Sequence, residues 1–245
     1  MSDFGNCAYS YDSAKGRRIF VPSKEGRAIG LKLKSLVENL YTPEDFFYHL
    51  GEDGGHVTAL HRHRPHKYFA KIDLQRFFYS VGRNRVKGAL KALGVRSAEH
   101  YARWSCVKNP CEGPSYALPY GFVQSPLIAT LVLSQSRVGN VLRDMADELT
   151  VSVYVDDIAL SSNNRRRIER AYNRLRKAII KSNLAINDDK SIPPSLTLKV
   201  FNCHLSRRDT VVTEERRNDF YAFERSDLSV AAFEDYCDAV ATGNG

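Results

Sequence analysis

Residues 151–160, Val-Ser-Val-Tyr-Val-Asp-Asp-Ile-Ala-Leu, constrain this chain more than any other stretch. Val151, Val153 and Val155 alternate with Ser152 and Tyr154, the period of a strand, and Ile158 to Leu160 are apolar again. The pattern predicts a β-hairpin with Asp156 and Asp157 at its tight turn. Desolvating two neighbouring carboxylates costs several kcal/mol or more. A divalent cation removes that cost, and Mg²⁺ in particular is held by one or two carboxylates together with substrate phosphates. An ordinary Asp-Asp turn between strands satisfies the same ten residues equally well.

Phosphoryl transfer with two metal ions draws a further carboxylate from a different element. In residues 67–81 Asp73 closes an apolar run and is followed by Phe77 and Phe78. Residues 118–126, Leu-Pro-Tyr-Gly-Phe-Val-Gln-Ser-Pro, form a glycine-containing loop ahead of a helical pattern. In this order the three stretches resemble the palm of reverse transcriptases: 73–81 resembles motif A, 118–126 motif B, and Tyr154-Val155-Asp156-Asp157 the YxDD form of motif C, with Asp73 and Asp156 83 residues apart. The resemblance covers residues 17–206. It implies an α+β fold with right-hand fingers and palm, an antiparallel palm sheet flanked by helices, and a thumb absent or much reduced. The implied division is 1–66 for an N-terminal segment and fingers, 67–206 for the palm with interleaved fingers elements, and 207–245 for a short C-terminal extension in place of a full thumb.

The chain of 245 residues is long enough for a sizeable core. Lys and Arg outnumber Asp and Glu by 36 to 28, a net charge of +8, which favours an anionic partner, nucleic acid ahead of membrane. The five cysteines are odd in number and scattered, with no C-x-x-C, so they read as reduced thiols and not as a disulfide framework or a zinc site. No apolar run approaches a membrane span and no secretory pattern opens the chain, so a cytoplasmic protein is expected.

Other stretches carry weaker expectations. Residues 1–16 read as irregular and 17–22 as a basic edge strand. Helices are expected over 23–41, 42–50 (Thr42 cap, Pro43 first), 83–93, 98–106 with Trp104 turned into the core, 125–148 as one long helix, 163–182, and 229–241. Residues 52–66 read as a loop whose run His61-Arg62-His63-Arg64-Pro65-His66 suits nucleic-acid phosphates better than zinc. Strands are expected over 196–205 and 210–213.

The resemblance also implies roles. Asp73, Asp156 and Asp157 are the catalytic and metal-binding carboxylates for two Mg²⁺ ions, with Mn²⁺ as a substitute. Phe78, five residues after Asp73, stands where a bulky ring excludes a 2′-hydroxyl, which argues for DNA synthesis. Gly121 lets backbone approach the nucleotide closely, with Tyr120 and Gln124 beside it; Tyr120 departs from the Gln that many relatives carry. Lys190, in a stretch resembling motif D, is expected near nucleotide phosphates, and Arg17 and Arg18 are candidates for contact with template or triphosphate. Residues 196–205 take the place of the primer grip, with Asn202 and Cys203 where many relatives carry Leu-Gly. The chain looks like a minimal prokaryotic enzyme, similar to retron reverse transcriptases and to the defence-associated unknown group, with Tyr154-Val155-Asp156-Asp157 and residues 121–126 leaning toward the latter. The expected partners are therefore dNTPs, a structured noncoding RNA as template and the DNA product, with that RNA, a second protein or a second copy standing in for the thumb. A silent RNA-binding scaffold and an RNA-templated RNA polymerase are the alternatives.

Overall fold

The computed structural model describes residues 4–14, 16–50 and 55–245. In chain order the elements are β1 (Cys7–Asp12), β2 (Arg18–Pro22), α1 (Lys24–Leu40), α2 (His56–His63), β3 (Tyr68–Leu74), α3 (Phe77–Ser80), α4 (Arg83–Ala92), α5 (Ala98–Ser105), β4 (Val107–Lys108), β5 (Tyr116–Ala117), α6 (Ser125–Ser134), α7 (Arg137–Ala146), β6 (Thr150–Tyr154), β7 (Asp157–Ser162), α8 (Arg165–Lys181), β8 (Ile186–Ser195), β9 (Thr197–Val200), β10 (Cys203–Ser206), β11 (Asp209–Val212), α9 (Glu214–Tyr221) and α10 (Asp227–Ala241). They form two compact units, each assembled from three stretches: 1–44, 74–140 and 178–185 in the first, 45–73, 141–177 and 186–245 in the second. The units interleave along the chain, so their boundaries differ from the linear division at residues 66 and 206 expected above.

In the first unit β1 and β2 form an antiparallel hairpin, so residues 7–12 are a strand and not irregular. Helix α1 starts where Ser23 Oγ accepts the Gly26 N–H, and it buries Leu33 and Val37. Helix α5 buries Tyr101 and Ala102, whereas Trp104 stays half-buried, contrary to expectation. The single long helix expected from residue 125 is two. Helix α6 ends at Ser134, and Ser136 Oγ then accepts the Val138 N–H to open α7. The break brings the backbone of Ser134 so close to Gly139 that a Cβ there would meet the Ser134 carbonyl oxygen at 2.0 Å.

The second unit is built on a four-stranded sheet in the order β6-β7-β3-β8 and a three-stranded sheet β11-β10-β9. The first is the expected palm sheet, with β7 antiparallel to both β6 and β3. One apolar cluster joins both sheets to the helices of this unit: Leu60 from α2, Phe69 and Ala159 from the larger sheet, Leu198, Val200, Leu205 and Val212 from the smaller, and Phe220, Phe233 and Val240 from α9 and α10. Phe220 and Phe233 stack at 4.0 Å between centroids, worth about 1 kcal/mol beyond their burial.

Three expectations fail, each for a local reason, and one helix was not expected. Residues 42–50 are turns and not a helix, because Phe46, Phe47 and Tyr48 give their backbone to Val153 instead; the expected end near Gly51 lies outside the described residues. Residues 56–63 are helix and not loop, since Ala59, Leu60 and His63 share a buried face. Residues 196–205 are two strands, because Phe201 and Asn202 both adopt left-handed φ (55° and 58°) and reverse the chain. Helix α9 was missed although Thr213 caps it and Glu214 and Glu215 follow in its first turn.

Candidate active site

The carboxylates gather at one end of the larger sheet. Register places Asp73 on β3 directly opposite Asp157 on β7, and Tyr154 opposite Asp157, which leaves Val155 and Asp156 as a two-residue turn. The hairpin is as expected, but its turn lies one residue earlier: Val155 and Asp156 form it, and Asp157 opens β7 instead of sharing the turn. Val155 has φ 60°, where such turns normally take Gly, Asn or Asp; for a β-branched residue the cost is on the order of 1–3 kcal/mol. The strain sits immediately before Asp156.

Asp73 is buried, and its carboxyl is pushed above the usual carboxylate range, first by desolvation and then by the facing Asp157 charge. Lys190, Lys71 and a hydrogen bond to Asn187 act against that rise. The Asp73 N–H donates to Ser191 Oγ at 3.1 Å, which ties β3 to β8 at this point. Lys71, on the same face of β3 as Asp73, brings its Nζ to 3.0 Å from Asp157 Oδ1. That oxygen is buried and has no hydrogen-bond partner, so the ammonium approaches as a charge without aligning to donate.

Among the described residues no three His, Cys, Asp or Glu side chains converge closely enough to enclose a metal ion as they stand. The donor set nevertheless fits a hard divalent cation. It consists of carboxylate oxygens on a rigid sheet, one of them buried without a hydrogen bond and another whose proton affinity is raised by burial and then by its neighbour's charge. Asp73, Asp156 and Asp157 are the residues that would hold it.

The other sequence-derived residues except Lys190 lie in the first unit. Tyr120 is fastened to β2, its carbonyl accepting the Phe20 N–H at 2.8 Å. Gly121 follows with φ 104°, and a Cβ there would meet the Phe20 carbonyl oxygen at 2.3 Å, so only glycine fits. Phe78 and Tyr120 meet edge to face at 4.8 Å, and the Arg17 guanidinium lies 5.3 Å from the Tyr120 ring centre. Phe77 is the more deeply buried of the aromatic pair, 1% exposed against 7% for Phe78. Arg18 makes a two-pronged ion pair with Asp12 across the β1–β2 hairpin, on the surface. Gln124 is 1% exposed, donates to Ser105 Oγ at 3.3 Å and packs against Gly30, so its amide belongs to the interior of the unit. Lys190, in the second unit, is exposed on β8.

Lys71 and Ser191 escaped the sequence reading. For Lys71 a signal existed: in a strand, residue i−2 shares the face of Asp73. Part of the run 61–66 turns inward, while Arg62 stays exposed. His61 Nε2 lies 3.3 Å from the Val240 carbonyl, Arg64 donates to the Thr242 carbonyl, and His63 is buried between Ser152 and Ser161.

A family described as reverse transcriptase (RNA-dependent DNA polymerase) matches residues 12–193. The chain belongs to the reverse transcriptase family. The retron Ec86 reverse transcriptase of Escherichia coli is a distant relative, 26% identical over 216 residues that cover 84% of this chain and 63% of that protein. The chain therefore spans less than two thirds of the length of that relative. Two solved structures share the fold. A foamy viral protease–reverse transcriptase in complex with double-stranded DNA has a TM-score of 0.56 at 15% identity, over 91% of this chain and 34% of that one. Telomerase from Candida albicans with a telomeric RNA fragment has a TM-score of 0.52 at 13% identity, over 74% and 36%. No helix among the described residues is long and apolar enough to cross a membrane.

Proposed function

We propose that this member of the family is an active RNA-directed DNA polymerase, which extends a primer with dNTPs on an RNA template. The observation that carries the reading is Asp73 facing Asp157 across paired strands, with Asp156 in the adjoining turn, in a chain of this family. In the reaction the primer 3′-oxygen forms a bond to the α-phosphorus as the bond to the pyrophosphate oxygen breaks. Bound divalent ions, Mg²⁺ or Mn²⁺, supply positive charge for the attacking and leaving oxygens. The protein's part is to hold three carboxylates on a stiff sheet, with Lys71 and Lys190 limiting their mutual repulsion. Exposed Lys190 is also available to triphosphate oxygens. Phe78, backed by Tyr120, excludes a 2′-hydroxyl, and Arg17 offers charge to template or triphosphate.

The +8 charge suits an RNA partner, and the distant kinship with a retron enzyme leads us to extend the proposal to a structured noncoding RNA as template and to a role in antiviral defence. A silent RNA-binding scaffold is the second reading. Its specific support is Lys71, which compensates Asp157 without any metal.

Incorporation of labelled dNTPs by the purified chain with Mg²⁺ and its co-purifying RNA separates the two. The Asp156→Asn, Asp157→Asn double variant should lose activity by at least about a thousandfold. RNA binding by both proteins with no product from either would favour the scaffold. Phe78→Ala should raise ribonucleotide use relative to deoxynucleotide by roughly 10- to 100-fold, and an unchanged ratio would remove the steric role.

A further inference from the structure

Strand β6 is an edge of its sheet, yet its outer side is not open. Residues 46–49 run along it. The Val153 N–H donates to the Phe46 carbonyl at 2.7 Å, the Tyr48 N–H donates to the Val153 carbonyl at 3.1 Å, and Phe47 and Val153 make a parallel bridge. In a regular parallel ladder the next group served on β6 is the Val155 N–H, and its acceptor would be a main-chain carbonyl. Here the acceptor is a side chain: the Val155 N–H donates to His49 Nδ1 at 3.1 Å. The substitution coincides with the left-handed φ of Val155, the only β-branched residue with positive φ among the described residues. The ring of His49 is held on two sides, edge-on to Phe47 at 6.3 Å and to Tyr154 at 5.8 Å.

Burial keeps the imidazole neutral, its pKa lowered to about 4. Neutral imidazole has one nitrogen that donates and one that accepts. With Nδ1 accepting from Val155, the proton resides on Nε2, and the Val153 carbonyl at 3.4 Å from Nδ1 is a neighbour and not a partner. A strained turn persists only where its surroundings over-determine it. This contact is the only hydrogen bond to the Val155 backbone N–H among the described residues, and it lies one residue from Asp156.

We propose that His49 is a positioning residue for Asp156, its Nδ1 fixing the strained Val155 turn from which the carboxylate projects. The role builds on the polymerase reading, in which Asp156 is a metal ligand.

The test uses the full chain with His49→Leu, which removes the acceptor, and His49→Asn, whose amide oxygen can take the place of Nδ1. Exchange of the Val155 amide, followed by NMR on ¹⁵N-valine protein, reads the contact without metal or activity. It should be slow in the parent and in His49→Asn, and faster by at least about tenfold in His49→Leu. Binding of Mn²⁺, followed by electron paramagnetic resonance, should weaken by about 10- to 100-fold in His49→Leu and recover in His49→Asn, with kcat following and the dNTP KM unmoved. Equal Mn²⁺ affinity and kcat in the parent and His49→Leu would overturn the proposal, as would an Asn variant no better than Leu. If the parent makes no DNA while amide exchange and Mn²⁺ affinity follow the expected order, the polymerase reading fails and the positioning role stands.

Discussion

Both ends of the β6–β7 hairpin bury polar groups, and the two ends are built on opposite terms. At the far end His63 sits between two serines, with Nε2 2.7 Å from Ser152 Oγ and Nδ1 2.7 Å from Ser161 Oγ, and Ser161 Oγ continues to His66 Nδ1 at 2.9 Å. One direction of donation satisfies the whole chain: Ser152 to His63, His63 to Ser161, Ser161 to His66. No charge is required. At the turn end Asp73 faces Asp157, one carboxylate oxygen has no donor, and lysine charge arrives without a directed bond. A buried polar network with every partner in place specifies a fold, whereas a buried group lacking its partner marks a place that a ligand completes. The same sheet thus carries a closed end that serves stability and an open end suited to chemistry.

The largest test of that contrast is Asp73→Asn. The amide keeps the shape, removes one of two facing charges and should abolish dNTP incorporation by about a thousandfold or more. Without metal the variant should be the more stable protein, by up to about 1 kcal/mol, since like charges directly opposite in a sheet destabilise it. Calorimetry should show a melting temperature higher by roughly 2–4 °C in chelator, and Mg²⁺ should stabilise the parent but not the variant. A variant that is less stable in chelator would mean that the open end contributes to the fold after all.

His63→Ala should act in the reverse sense. It leaves a cavity and strands two buried hydroxyls, so about 3 kcal/mol of stability and roughly 6–12 °C should be lost, with dNTP turnover per folded molecule unchanged. The same residue sets an acid limb. Burial lowers its pKa from 6.5 to about 3, so the unfolded chain binds the proton that the folded one refuses. Its contribution is therefore fully present above pH 6.5 and is lost as pH falls toward 3. Denaturant titrations over that window should show a shallower pH slope in His63→Ala, and an unchanged slope would assign the acid limb to other groups.

What was legible in the sequence follows from the same contrast. Alternating valines around Asp156 and Asp157 exposed the hairpin, and Asp73 with its aromatics exposed the facing strand, because period-two patterns encode both register and face. The inward role of His63 was hidden. Five of the six residues at 61–66 are Arg or His, and composition there suggests phosphate contact for all of them; only the burial of Ala59, Leu60 and His63 on one face of α2 shows that His63 turns inward. Spacing alone puts Lys71 on the face of Asp73, but its pairing with Asp157 depends on strand register, and His49 lies on a segment 106 residues away from Val155. The break at Ser136 was visible only as a serine in a helical pattern, a residue that serves inside helices and at their caps alike.

The smallest test addresses cooperativity within the closed end. Ser152→Ala removes the hydroxyl partner of His63 Nε2 and leaves that nitrogen buried without a hydrogen bond, at about 1–2 kcal/mol. If the chain of hydrogen bonds acts as a unit, the same substitution made in the His63→Ala background should cost far less, because the partner it would strand is already gone. A double-mutant cycle by urea denaturation should then return a coupling of about 1 kcal/mol. Additive costs would instead mean that Ser152 is held by packing in the sheet alone. The contrast between the two ends would then rest on His63 and Ser161, the one pair that reaches on to His66.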